Sequence, residues 1–139
     1  MSIESVRIDE QGREQLIRLK RHTQIETWNV LCRWGLCRSL AEPTIPPPRL
    51  FKGEAAVEIA WRTFGGAQHE IYLALVKQRC RRDGLGSDDA TLQEQFRLHL
   101  HRGLGYLAAD RGIRSIADLV RTANEAAARP AGTFTTAED

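Results

Sequence analysis

The residues in this chain best equipped for chemistry are two pairs, Cys32 with Cys37 and His99 with His101. Thiolates and imidazoles bind transition metals, and thiolates also act as nucleophiles. The spacings argue against both roles. The cysteines lie in "WNVLCRWGLCRSLAEPTIPPP", residues 28–48, where a five-residue separation puts them about 140° apart on a helix. The histidines of "HLH" fall about 200° apart on the helix that their segment predicts. Neither pair converges on one ion, and no second Cys-x-x-Cys or Cys/His cluster supplies the missing ligands. Cys32 and Cys37 are therefore expected to pack as small hydrophobes. Gly65-Gly66 lacks the lysine and serine of a phosphate-cradling loop. Ser39, Ser87 and Ser115 each have a capping or surface role, and no paired carboxylates stand out. The expectation is a binding or assembly protein with no catalytic centre, no cofactor and no metal.

The elements that carry these residues can be read from hydrophobic periodicity. "IESVRI", residues 3–8, alternates as a short strand, with Val6 and Ile8 on one face and Ser5 and Arg7 on the other. Asp9 is positioned to cap a helix over residues 10–22. Thr27 then precedes a helix over 28–42, which Pro43 stops. "PTIPPPRL" is stiff and extended. "AAVEIAWRTF" alternates through Val57, Ile59, Trp61 and Thr63, but its Ala and Glu content also fits a helix. Helices follow over 69–83 and 90–102, the latter capped by Asp88 or Asp89 and closed by Gly103. Ser115 and Asp118 form a capping pair before a last apolar stripe. The reading is one mainly α domain over residues 1–128, compact, with short β-strands. Residues 129–139 read as a disordered tail.

Within this scheme the helix over 28–42 is unusual. Glu26, Asn29 and Arg33 form one narrow polar stripe, and apolar side chains cover most of the remaining circumference. Such a helix is buried by neighbours or by a second subunit. Gly35 in its middle costs roughly 1 kcal/mol against alanine, which implies close approach of another backbone or a bulky side chain. Trp28, Leu31, Trp34 and Gly35 are accordingly the candidates for an oligomer core.

The chain has 139 residues, 42% of them apolar, enough for a single core. Three cysteines, an odd number, argue against a disulfide framework. No apolar run is long enough to span a membrane. "MSIESVRIDEQGREQ" carries acids and no apolar block, so no signal peptide is expected. Together these predict a cytoplasmic protein with no membrane partner. Net charge is only +2, but it is uneven. Residues 1–52 hold nine Lys/Arg against six acids, and "KQRCRRD" holds four bases and one acid. On the first helix Arg13, Lys20 and Arg21 project within about 100° of one another, with Arg18 on another side. Such a stripe permits an anionic partner without demanding one. The bases of "KQRCRR" also complement a helix C-terminal dipole.

Strand, helix, helix over residues 3–42 is the order of a ribbon-helix-helix unit, whose strands can enter a DNA groove. Arg7 is the strand's one strong candidate for base contact. Beyond architecture, "LIRLKRHT", "WNVLCRWGLCRSLAEPTIPP", "AWRTFGG" and "LVKQRC" resemble the DndE family of the DNA phosphorothioation machinery over about residues 3–122. The resemblance implies a compact, mainly helical fold related to ribbon-helix-helix proteins, a homotetramer and binding of duplex DNA, preferentially nicked. It also implies work alongside DndC and DndD, with no catalytic centre in the small subunit itself. "RLKR" places Arg18, Lys20 and Arg21 where the family is basic; Arg13 is added from helical geometry, with Arg7, Lys52 and Arg79 in second rank. The family surface is lysine-based, whereas this chain has only three lysines. Arginine keeps the charge but alters the contacts. Two other functions fit the same residues: an adaptor joining DndC and DndD without essential DNA contacts, and a ribbon-helix-helix repressor.

Overall fold

The computed structural model describes residues 3–128; the expected tail at 129–139 lies outside them. The elements are β1 (Ser5–Ile8), α1 (Glu10–Thr23), α2 (Trp28–Leu40), β2 (Val57–Ala60), α3 (Trp61–Gly65), a 3-10 turn (Gly66–Gln68), α4 (His69–Arg82), α5 (Asp89–Ala109) and α6 (Ile116–Ala127). The protein is mainly helical, with one two-stranded antiparallel sheet.

Strand β1 forms where the alternation placed it, with Val6 and Ile8 fully buried. It pairs with β2 in the register Ser5↔Ala60 to Ile8↔Val57. Its hydrogen-bonded partner is thus a later segment of the same chain. Asp9 accepts a 2.8 Å bond from the Gly12 N–H and starts α1. The buried positions of α1, Gly12, Leu16, Leu19 and Thr23, recur at helical spacing and turn inward. Thr27 sits at the N-cap of α2 but contributes only its backbone carbonyl, to Val30 and Leu31.

The segment that fitted both strand and helix is both. The ladder ends at Ala60, because the last bond runs from the Trp61 N–H to the Glu4 carbonyl, 3.0 Å. The chain then turns into α3, where Trp61 and Phe64, three apart, share an inward face. Their rings meet Phe96 of α5 edge-on, at 5.3 and 5.5 Å between centroids. This aromatic cluster ties the sheet end to the helices.

The expected end of the fifth helix at Gly103 is overturned: α5 continues to Ala109. Gly103 lies in the helix for packing, not for termination. A Cβ built on it would stand 1.6 Å from the Gly35 carbonyl oxygen, so α2 and α5 cross backbone to backbone at this pair. A Cβ built on Gly35 would in turn press on Leu104, 3.0 Å from its Cδ2 methyl, a tight contact but one with a side chain. The close approach inferred for Gly35 is therefore met within the chain. The same crossing corrects the assignment of Leu31 and Gly35 to an oligomer core. Both are buried in the protein's own interior, and only Trp28 and Trp34 keep part of their surface exposed at its edge.

The Ser115 and Asp118 pair closes as expected. The Ser115 hydroxyl accepts from the Asp118 N–H at 3.3 Å, and Asp118 accepts from the Arg114 N–H at 2.7 Å. These bonds start α6, whose Leu119 packs into the core. Among the described residues no helix is long and apolar enough to cross a membrane.

Candidate nucleic-acid interface

Helix α1 carries the basic residues picked out in the sequence, and the structure divides them. Arg13 pairs with Glu10 at 3.1 Å, so its charge is partly compensated. Arg18, Lys20 and Arg21 are exposed, and among the described residues no carboxylate lies within 4.0 Å of any of them. The helix is thus acidic toward its start, with Glu10 and Glu14, and cationic toward its end. Its C-cap, Gln24, adopts the left-handed conformation (φ 66°), and its N–H bonds the Lys20 carbonyl. Ile17, Lys20, Arg21, Gln24 and Glu26 line a shallow depression there. The cations oppose the negative end of the helix dipole, which stabilises them locally without neutralising the outward field.

Among the second-rank residues, Arg7 stays 63% exposed beside Glu58 at 3.4 Å, and Lys52 is exposed on the loop before β2. Arg79 does not belong with them. It is 4% exposed, and every nitrogen of its guanidinium has an internal acceptor. Nε donates to Asp83 at 2.9 Å, and Nη1 to the Leu40 carbonyl at 3.0 Å. Nη2 donates to the carbonyls of Glu42 and Thr44, each at 2.7 Å. Arg102 of α5 completes this arrangement, donating to the Ser39 hydroxyl at 2.9 Å and the Ser39 carbonyl at 3.0 Å. Two guanidiniums thereby bind carbonyls of the last turn of α2 and of the stretch that follows it. Arg79 is a structural cation, and its physical role is to fasten the stretch after α2.

The histidines and cysteines are equally internal. His99 is buried against Ser39, with Nδ1 at 2.8 Å from the hydroxyl. Burial, then the charges of Arg79 and Arg102, pushes its imidazole down to about 3. His101 is held below its ordinary range by burial, opposed by the Arg97 carbonyl and by Asp9. Its Nδ1 lies 2.8 Å from the Arg97 carbonyl, and the Asp9 N–H donates to its Nε2 at 3.2 Å. Cys32 is fully buried, and burial pushes its thiol up to about 12, against a smaller opposing effect of Arg33. Cys37 is exposed, away from Cys32 around the helix. Among the described residues no three His, Cys, Asp or Glu side chains are grouped to hold a metal ion.

The two imidazoles make stability depend on pH. A histidine whose folded value lies below its unfolded value of about 6.5 binds its proton only on unfolding. Stability is then full above about 6.5 and declines as pH falls. Between pH 7 and pH 5, His99 alone should remove about 2 kcal/mol of stability. Urea melts across that range would measure the slope, and His99→Gln should flatten it. A parent midpoint constant from pH 7 to pH 5 would contradict the buried neutral assignment.

Comparison with known proteins places the chain. A family profile for "DNA sulphur modification protein DndE" matches residues 5–115. No curated protein matches the chain. Among solved structures, the fold is similar to that of DndE from Escherichia coli B7A, a protein described as involved in DNA phosphorothioation modification. The TM-score is 0.61 at 20% identity, covering 77% of this chain and 99% of that one. The matched profile spans β1 through α5, including the exposed cations of α1 and the Gly35–Gly103 crossing, and the chain belongs to the DndE family of DNA sulphur modification proteins.

Proposed function

We propose that this protein is a non-catalytic DNA-binding subunit of the phosphorothioation machinery. It holds duplex DNA, preferentially nicked, through Arg18, Lys20 and Arg21, and assembles with DndC and DndD. The observation that carries the reading is the uncompensated cationic end of α1 on a chain of the DndE family. Exposed guanidinium and ammonium groups suit the phosphate backbone, which supplies affinity without sequence readout. A homotetramer would repeat the patch and multiply its field. Cys32 and His99 are buried, and neither is poised as a nucleophile or base at neutral pH. Sulfur transfer and ATP hydrolysis belong, in this reading, to the partners.

The test is binding to nicked and intact duplexes at two salt concentrations. Replacing Arg18, Lys20 and Arg21 by alanine should flatten the salt dependence by about 0.9 for each phosphate that is no longer neutralised. Failure of the parent protein to bind either duplex at low salt would end the DNA reading. Normal modification in cells carrying the triple variant would identify an adaptor instead.

A further inference from the structure

A second cationic site lies at the other end of α1; of its three arginines, Arg7 is a second-rank candidate from the sequence, whereas Arg49 and Arg97 are not among the sequence candidates. Strand β1, the loop before β2 and the first half of α5 enclose a cleft of about 500 Å³. Arg7, Arg49 and Arg97 line it together with Phe51, and Glu4 and Glu94 stand on its walls. The Arg97 guanidinium lies 4.0 Å from the Phe51 ring centroid and that of Arg49 lies 4.5 Å from it. One aromatic ring thus contacts two guanidiniums. Phe51 also packs against the buried His101 in a tilted contact, at 4.6 Å between centroids.

The three cations are not equally compensated. Arg49 pairs with Asp9, and Arg7 has a loose pair with Glu58 at 3.4 Å. Arg97 has none: among the described residues no carboxylate is within 4.0 Å of it, although Glu94 lies one helical turn earlier. Its Nε donates to the Arg7 carbonyl at 3.0 Å. That bond uses one of the five N–H donors of the guanidinium and anchors the fork. Burial, and the neighbouring charges of Arg7 and Arg49, hold Arg97 below the ordinary arginine range, against the opposing charge of Asp9. Stacking alone would orient the side chain, but it supplies no counter-charge for a half-buried cation among like charges. An anion with several acceptor oxygens would supply both charge and acceptors.

We propose that this cleft is a binding site for one backbone phosphate of a DNA strand, with Arg97 the principal donor and Arg49 and Arg7 assisting. The assignment of DNA as the source rests on the function proposed above. The geometry suits it: Asp9, the N-cap of α1 and partner of Arg49, lies roughly 15 Å along the helix axis from the Arg18–Lys20–Arg21 patch. The two sites are therefore far enough apart to take different phosphates of one duplex.

The test has two arms. Inorganic phosphate is titrated into the full chain while the arginine Nε–H resonances are followed. Saturable shifts at Arg97 and Arg49, absent in Arg97→Gln, are expected. Duplex binding is then measured against salt. Arg97→Gln should weaken it roughly three- to tenfold and lower the logarithmic salt slope by about 0.9, whereas Arg97→Lys should keep the slope. A thermal melt of each variant checks folding, and Arg97→Lys keeps the comparison usable if the Gln variant is unstable. An unchanged affinity and slope in Arg97→Gln, beside impaired binding by the α1 triple variant, would overturn the cleft and leave the DNA reading standing. Phosphate shifts at Arg97 in a protein that binds no duplex would overturn DNA as the source.

Discussion

Gly103→Ala should destabilise the protein by roughly 3 kcal/mol or more, because the added methyl has no low-cost direction in which to move. Its Cβ would stand 1.6 Å from the Gly35 carbonyl oxygen and 2.4 Å from the carbonyl carbon. Both obstacles are backbone, so relief requires α2 and α5 to separate along their crossing. That would open gaps around Leu31, Leu36, Leu100 and Leu104, all fully buried. Gly105, two residues further along the same helix, provides a control of opposite sign. Its Cβ would meet only the Gln15 side-chain nitrogen, at 3.6 Å, an ordinary contact. Gly105→Ala should stabilise by about 0.5–1 kcal/mol through the lower backbone entropy of the unfolded chain. Calorimetric melts of the two variants compare them directly. Equal melting temperatures would show that the backbone crossing does not control stability.

Arg79→Met should cost about 3–5 kcal/mol, the penalty for breaking a buried charged network from one side. Methionine fills much of the volume but leaves Asp83, with its side chain 7% exposed, without its cation. It also strips the donors from the carbonyls of Leu40, Glu42 and Thr44. Adding Asp83→Asn to Arg79→Met removes the orphaned charge and should recover part of the loss, which separates the ion pair from the carbonyl contacts. Arg79→Lys keeps the charge but has no planar fork to serve four acceptors, and should lie between the two. Chemical denaturation gives the ranking. An Arg79→Met protein as stable as its parent, but weakened in DNA binding, would return this residue to the surface role considered from sequence.

Arg79 marks where sequence reading stops. A base in the last turn of a helix has an electrostatic rationale whether it faces water or the interior. Only the path of residues 40–44, brought against α4 by the tertiary fold, decides between them. The same holds for Gly103. A glycine after "HLHR" satisfies the pattern of a helix end, and its alternative use becomes visible only when Gly35 is set opposite. Local chemistry was legible where it is local in fact. Asp9 caps α1 through its own neighbour three residues on, Ser115 and Asp118 start α6, and alternation in β1 separates Val6 and Ile8 from Ser5 and Arg7. Of the candidate interface, "RLKR" could be found from its composition. The cleft of Arg7, Arg49 and Arg97 could not, because it joins three segments around Phe51, and nothing in "RLFKG" shows where that ring will lie.

The pairing of β1 with β2 also bears on the order of assembly. The ladder joins residues 5–8 to residues 57–60, so it closes a loop that contains the whole of α1 and α2. Closing that loop loses chain entropy before the four-residue ladder returns any gain. The helices stack through many more side chains than the short ladder offers, so the ribbon is expected to register late and to open early. Arg7 sits in this ribbon, and its carbonyl anchors Arg97. The three-arginine cleft is therefore a feature of the completed molecule, and chains caught partway through folding would lack it.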